Sequence, residues 1–256
     1  MKHTLVTGGT GFIGQHLVRR LLEAGQKPLV IIRPDSDTTV FQRFSEHIDF
    51  WTFDGSHLSL DNCFKKWNVE LVFHLATCFV ANHEPEDIEN LVDSNITFGL
   101  KLAEAMTVNG VKKFVNVATN WQYYHSETYR PLNLYASTKQ AFEDILTYYS
   151  DTKKLRVASV ILFDTYGSND QRAKLLPLLL SKKIGHAPIA LSPGQQVMDL
   201  THVQHVVDAL LKAGERLDEP GESFQRYIAA NGKARSLKET VESFCESHGL
   251  QPTLSW

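Results

Sequence analysis

The 256-residue sequence predicts an α/β fold: a doubly wound parallel sheet followed by a small C-terminal lobe. Three observations carry this expectation. Short apolar runs rich in Val, Ile, Leu and Phe recur at residues 4–7, 28–32, 48–53, 71–76, 113–118 and 157–163, as strands buried on both faces require. Stretches of helical spacing separate them, so strand and helix alternate and call for parallel pairing with right-handed crossovers. The first strand meets the first helix through a glycine-rich turn, Thr-Gly-Gly-Thr-Gly-Phe-Ile-Gly at residues 7–14.

In chain order, the glycine turn is the strongest local signal. Gly8 permits a tight turn, Gly11 lets the backbone approach a pyrophosphate, and Gly14 lets the helix pack closely on the strand. The helix that follows, with Ile13, Leu17 and Leu21 on one face and Gly25 at its end, presents free N–H groups to an anion. A dinucleotide is the expected ligand. The second strand ends at Arg33, where a chain that binds NAD would carry an acidic residue for the ribose hydroxyls. A guanidinium there, helped by Ser36, suits the 2′-phosphate of NADP(H), although Asp35 leaves open a solvated arginine with the acid doing that job. Asp54, after the third strand, is placed either to accept from the adenine amino group or to form the turn before Gly55.

His74, inside the fourth strand, reads as a core histidine rather than a catalyst. A helix carrying Ile88, Leu91, Val92 and Ile96 leads on to Leu102 and Met106. After the fifth strand comes Tyr135-Ala-Ser-Thr-Lys139, which opens a helix about 120 residues beyond the glycine turn. A four-residue spacing puts the phenol and the ammonium on one face. The lysine cation and the nicotinamide charge together are then expected to pull the phenol down from its ordinary pKa of about 10 toward working pH.

Beyond residue 163 the regularity breaks into a helical stretch over 172–182, short apolar pieces near Ile189 and Val197, a helix from Val203, a strand at 224–229 and a helix from Ser236. Residues 1–165 are expected to form the dinucleotide-binding and catalytic domain. Residues 166–256 are expected to form a mixed α/β substrate-binding lobe, some of whose segments return to the sheet. The last residues, to Trp256, read as a further strand, which leaves a C-terminal shortening open.

Composition narrows the function. A formal net charge of −3 gives no electrostatic case for nucleic acid, and no apolar run is long enough to cross a bilayer. Cys63, Cys78 and Cys245 form no C-x-x-C pair, so a reducing cytoplasm is expected and a disulfide framework or zinc site is not. His202 and His205 are three apart with no third ligand at a recognisable spacing, so no metal is expected.

Taken together, T-G-G-T-G-F-I-G, the H-L-A-T of residues 74–77, Asn95 in D-S-N-I-T-F-G, F-V-N-V-A-T at 114–119 and Y-A-S-T-K resemble the extended short-chain dehydrogenase/reductases, the epimerase/dehydratase family. The resemblance spans nearly the whole chain and implies a Rossmann sheet. It implies that Thr119 binds the reacting oxygen beside Tyr135 and that Lys139 also holds the nicotinamide ribose. It further implies a cofactor lined by Thr10, Phe12, Ile13, Leu75, Ala76, Thr77, Asn95, Val117 and Phe163.

Other segments, N-W-Q-Y-Y, N-L-Y-A-S-T-K-Q-A-F-E, F-D-T-Y-G-S-N-D-Q-R and L-S-P-G-Q-Q-V-M-D-L, are similar to reductases that make 6-deoxy or 3,6-dideoxy sugars on CDP. Family dehydratases follow the catalytic Thr with an Asp-Glu pair, whereas Asn120 and Trp121 stand here; neither is an acid or base at neutral pH. The expectation is therefore NADPH-dependent reduction of the 4-keto group of a nucleotide-linked deoxysugar. Thr119, Asn120, Trp121, Thr165, Arg172, Lys174 and Gln196 are the candidate substrate contacts, with Asp199 near them. Trp121 reads equally as a sugar-stacking wall or as loop packing, and Arg172 and Lys174 equally as phosphate contacts or as a solvated face. An epimerase, a reductase of bulky alcohols or flavonoid-type ketones, and a silent NADP(H)-binding regulator stay open. A homodimer is what the resemblance implies for assembly.

Overall fold

A computed structural model describes residues 2–172, 174–181 and 188–256. The first half alternates as expected: β1 (His3–Thr7), α1 (Phe12–Glu23), β2 (Leu29–Ile32), β3 (Asp49–Thr52), α2 (His57–Lys66), β4 (Val69–His74), α3 (Asp87–Val92), α4 (Phe98–Val108), β5 (Lys113–Thr119), α5 (Leu134–Lys153) and β6 (Arg156–Leu162). There follow β7 (Asp164–Tyr166), α6 (Leu175–Ser181), β8 (Ile189–Ala190), β9 (Val197–Met198), β10 (Leu200–His202), α7 (Val203–Arg216), β11 (Phe224–Ala229), β12 (Arg235–Ser236), α8 (Leu237–Ser247) and β13 (Leu254–Ser255). Of the helix expected over 172–182, α6 forms over Leu175–Ser181; Arg172 and Lys174 precede it outside the helix, while Ala173 and Lys182 lie outside the described residues.

The chain divides into two compact units, one of residues 1–162 with 207–228, the other of residues 163–206 with 229–256. The first holds a seven-stranded sheet in the order β11-β6-β5-β4-β1-β2-β3, and its pairs from β6 across to β3 are parallel. Strand order reverses between β1 and β4. In a doubly wound sheet the carboxyl ends of the strands at such a reversal open a crevice for a ligand. β11, read from the sequence with the lobe, lies beside β6, where Val157 donates its N–H to the Ser223 carbonyl at 2.8 Å. The reason is burial: β6 is buried from Val157 through Leu162 and needs a neighbour, while the half-exposed β11 suits an edge.

Local chemistry sets the helix ends. Gly25, at φ +73°, closes α1, and Gln26 N–H reaches back to the Leu21 carbonyl. Asn133 caps α5 by accepting from the Ala136 N–H, and Ser236 with Glu239 forms a capping box on α8. One face of the sheet packs on α2, α4 and α5 through a core that includes Phe64, Met106, Phe114 and Phe142. The second unit has its own core, Leu176, Leu179, Ile189, Leu237, Val241, Cys245 and Leu250, with short pairs β7–β10, β8–β13 and β9–β12. Among the described residues, no helix is long and apolar enough to cross a membrane and no group of His, Cys, Asp or Glu has the arrangement of a metal site.

Candidate active site

The glycine turn sits at the strand reversal. A Cβ on Gly8, whose φ is +66°, would lie 2.6 Å from the Ala76 nitrogen, so the turn after β1 lies directly against the loop after β4. A Cβ on Gly14 would meet the Gly8 carbonyl oxygen at 2.1 Å: this glycine lets α1 rest on the turn itself. Gly9, which the motif does not require, faces Val30 of β2, where a Cβ would come within 2.6 Å of a methyl group. The Gly11 cap offers no side chain to the first turn of α1, and that turn holds no acidic residue. Its N–H groups and the positive end of the helix dipole are left for an anionic ligand, as a dinucleotide pyrophosphate requires. Thr10, Phe12 and Ile13 belong to this cradle.

Across the reversal, Thr7 ties the two loops: its hydroxyl hydrogen-bonds His74 Nδ1 at 2.8 Å and accepts from the Ala76 N–H at 3.2 Å. His74 packs among Phe98, Phe114 and Phe142, and burial, reinforced by the Lys139 charge, holds its pKa down to about 3. It is a neutral core histidine. Beyond Leu75 and Ala76, the backbone and side chain of residues 77 and 78 are fixed by buried Asn95. Its Oδ1 accepts from the Thr77 hydroxyl at 2.8 Å and the Cys78 N–H at 2.7 Å, and its Nδ2 donates to the Cys78 carbonyl and to Thr138 of α5. Asn95 lies in a π-helical turn, Asp93–Thr97, between α3 and α4. Such turns rotate a side chain out of the regular helical register.

Tyr135, Lys139 and Glu143 occupy one face of α5 at successive four-residue steps, and all three are buried. The phenol of Tyr135 bonds to Thr77, and its ring meets Phe79 edge-on at 5.0 Å; Phe79 in turn touches Trp121. Burial pushes the phenol up to about 12 against the opposing Thr77 bond, because a phenolate loses more by leaving water than it regains. The same burial lowers Lys139 to about 8, with Glu143 acting in the opposite sense.

Thr119 ends β5, where its hydroxyl oxygen accepts from the Trp121 N–H and its own N–H donates to Gln122 Oε1 at 3.0 Å. Asn120, Trp121 and Gln122 form a short 3-10 turn, and Gln122 Nε2 donates to Glu143 Oε2 at 2.6 Å. The turn after Thr119 is thereby fastened to α5. Val117, two residues earlier, is half-buried. Neither Gln122 nor Glu143 was singled out from the sequence. The spacing of Glu143 four residues beyond Lys139 was a usable signal, but a glutamate in a helix is ordinarily solvated.

Other candidates have local partners of their own. Arg33 is exposed after β2 and pairs with Asp35 at 3.2 Å, while its N–H donates to the Ser36 hydroxyl. Asp54 accepts from the Ser56 N–H at 2.8 Å, the contact of a turn former. Phe163, Thr165, Arg172, Lys174 and Gln196 belong to the second unit. There Arg172 grips Asp170 through Nε and Nη2 at 2.7 and 2.8 Å and also bonds the Thr165 carbonyl, and Lys174 lies 3.7 Å from Asp164. Gln196 donates to Ser192. Asp199 accepts from the N–H groups of Asn231 and Gly232, which makes it a turn-holding residue. The second unit encloses a cavity of about 760 Å³ whose lining includes Asn231, Lys233, Arg235, Phe244 and His248. Lys233 and Arg235 are cations that sequence reading passed over, because isolated charges in a loop carry no motif.

Residues 4–226 match the profile of the NAD dependent epimerase/dehydratase family. The chain belongs to that family. Membership supports a nicotinamide dinucleotide as the cofactor. The CDP-abequose synthase of Yersinia pseudotuberculosis is 24% identical over 208 residues, covering 81% of this chain and 71% of that protein. The UDP-glucose 4-epimerase of Cyamopsis tetragonoloba is 25% identical over 281 residues, covering 96% and 80%. Among solved structures, the UDP-glucose 4-epimerase of Thermus thermophilus in complex with NAD shares the fold with a TM-score of 0.85 at 24% identity, over 99% of this chain and 85% of that one.

Proposed function

We propose that this family member is a cytoplasmic, NADPH-dependent ketoreductase that reduces the 4-keto group of a nucleotide-linked deoxysugar, a CDP-, dTDP- or GDP-4-keto-6-deoxy or 3,6-dideoxy hexose. The observation that carries the reading is the buried Tyr135 and Lys139 on one face of α5, with Thr119 ending β5 before Asn120 and Trp121, two residues without acid–base function. Reduction needs a proton donor at the ketone oxygen, a role the Tyr135 hydroxyl can fill. Similarity to a CDP-abequose synthase supports the substrate class.

When bound, the reduced nicotinamide supplies a hydride to the ketone carbon. Tyr135 Oη gives its proton to the ketone oxygen, completing the alcohol, and the Lys139 ammonium stabilises the phenolate left behind. Thr119 donates its hydroxyl hydrogen to the same oxygen as charge builds there, while its own oxygen is anchored by the Trp121 N–H. Trp121, placed against Phe79, serves as an apolar wall beside Tyr135, with Asn120 as a polar neighbour for the sugar. Arg33 and Ser36 hold the 2′-phosphate. We assign the nucleotide diphosphate to the cavity with Lys233 and Arg235 rather than to Arg172 and Lys174, whose charges are matched by Asp170 and Asp164. Exposed Ile88, Val92 and Leu100 on α3 and α4 support a homodimer.

A second reading, a nucleotide-sugar epimerase holding NAD, is favoured by one contact: Asp35 lies beside Arg33 and offers the acid that NAD ribose requires. The test is NADPH oxidation, followed by absorbance, with a panel of CDP-, dTDP- and GDP-4-keto-6-deoxy sugars. One or more should be reduced, and Tyr135→Phe should abolish that turnover while leaving NADPH binding within about twofold. Measurable NADPH binding with no oxidation of any sugar would sink the ketoreductase.

A further inference from the structure

Glu143 is fully buried, and no step of the chemistry above requires it. A buried carboxylate costs several kcal/mol in lost hydration unless it is matched. Here the match is incomplete. Oε2 accepts from Gln122 at 2.6 Å, but Oε1 makes no hydrogen bond among the described residues and has Arg226 Nε of β11 at 3.4 Å. A leucine would pack this position at less cost, so the charge needs a reason.

Two connections supply one. Gln122 is bound on three sides: its Oε1 takes the Thr119 N–H, and its Nε2 donates both to Gln140 and to Glu143. One helical turn from Glu143 toward the start of α5 stands buried Lys139. We propose, resting on the roles given above to Thr119 and Lys139, that Glu143 is a positioning residue: it anchors Gln122, and with it the Thr119 end of β5, and it is the counter-charge of the Lys139 ammonium. One carboxylate then aligns the hydroxyl donor and keeps the cation charged. The groups facing this pair are His74 of β4 toward Lys139, and Arg226 of β11 and Tyr123 of the turn toward Glu143. His74 is neutral at working pH, so Glu143 is the charge that acts on the ammonium, and Arg226 acts on Glu143. The upward pull of Glu143 on Lys139, against burial, agrees with this arrangement.

The test reads Lys139 directly, without turnover, in the full chain labelled with ¹³C at lysine Cε, the resonance being identified by its loss in Lys139→Arg. Wild-type Lys139 should titrate near 8. Glu143→Gln, which keeps the shape and removes the charge, should lower that midpoint by about one pH unit, as loss of a neighbouring opposite charge does. Arg226→Gln should move it the other way, because removing a cation strengthens the field of Glu143. Loosened packing would not produce shifts of opposite sign. Unchanged midpoints in both folded variants overturn the proposal. If Glu143→Gln does not fold, Arg226→Gln decides alone, since that side chain is 43% exposed. Correct shifts in a protein that oxidises NADPH with no sugar would leave the pairing standing and remove only the ketoreductase.

Discussion

At the scale of single residues, burial governs the candidate chemistry more than proximity of charge does. Tyr135 and Lys139 share a helix face, yet the phenol rises and the ammonium falls, because both charged forms lose hydration in the same dry environment. Spacing on a helix foretold the neighbours and not the dielectric around them. Arg33 is the opposite case: an exposed guanidinium whose neighbour Asp35 competes with any bound phosphate. If it reads the 2′-phosphate, Arg33→Asp should weaken NADPH by about tenfold or more, the value of a lost charge-assisted pair, and leave NADH nearly unchanged. Fluorescence titration with both nucleotides checks this. An unaltered preference would assign selectivity to another residue.

Among elements, the close approaches made by glycines decide how helices meet strands and one another. Gly99 costs α4 some helical propensity, but a Cβ there would fall 2.4 Å from the Phe142 ring of α5, so its absence lets the two helices that flank the site pack together. Gly14 acts in the same way between α1 and the turn. Gly14→Ala should destabilise the protein by about 1–3 kcal/mol through overpacking, and NADPH binding should drop with it, since the methyl group has only backbone to displace. Thermal melts and a binding titration measure the two effects. A variant that binds and melts like wild type would show that the turn yields freely. The π turn at Asp93–Thr97 belongs to this scale as well: D-S-N-I-T-F-G marked Asn95, but its rotation into the loop at Thr77 and Cys78 comes from a change of helical register that no periodicity announced.

For the molecule as a whole, the buried polar residues make stability depend on pH. His74 has a folded-state pKa of about 3 against an ordinary 6.5, so below 6.5 the unfolded chain takes up a proton that the folded chain refuses. Its contribution is therefore complete above about 6.5 and is lost as the pH falls toward 3, at up to about 1.4 kcal/mol per pH unit. Urea unfolding at pH 7.5, 5.5 and 4.5 should show a steeper loss in wild type than in His74→Gln, which keeps a partner for Thr7 without titrating. Parallel curves would mean that the folded protein protonates His74 as readily as the unfolded chain does. The sequence had already marked this histidine as core from its place in a buried strand; the strength of the effect comes from the three phenylalanines that surround it.

What the sequence determined by itself is whatever depends on neighbours along the chain: the alternation of strands and helices, the glycine turn, the caps, and the Tyr135–Lys139 spacing. These are short-range patterns, so hydrophobic periodicity and local backbone conformation are enough to read them. Tertiary structure decided what depends on residues far apart. It set β11 beside β6, Gly8 against Ala76, and Glu143 beneath Gln122, and it matched Arg172 with Asp170 while leaving Lys233 and Arg235 to line a cavity. The glutamate, the glutamine and the two cations look like ordinary surface residues in the sequence. Only folding decides which polar groups leave water, and that desolvation turns an ordinary side chain into part of a site.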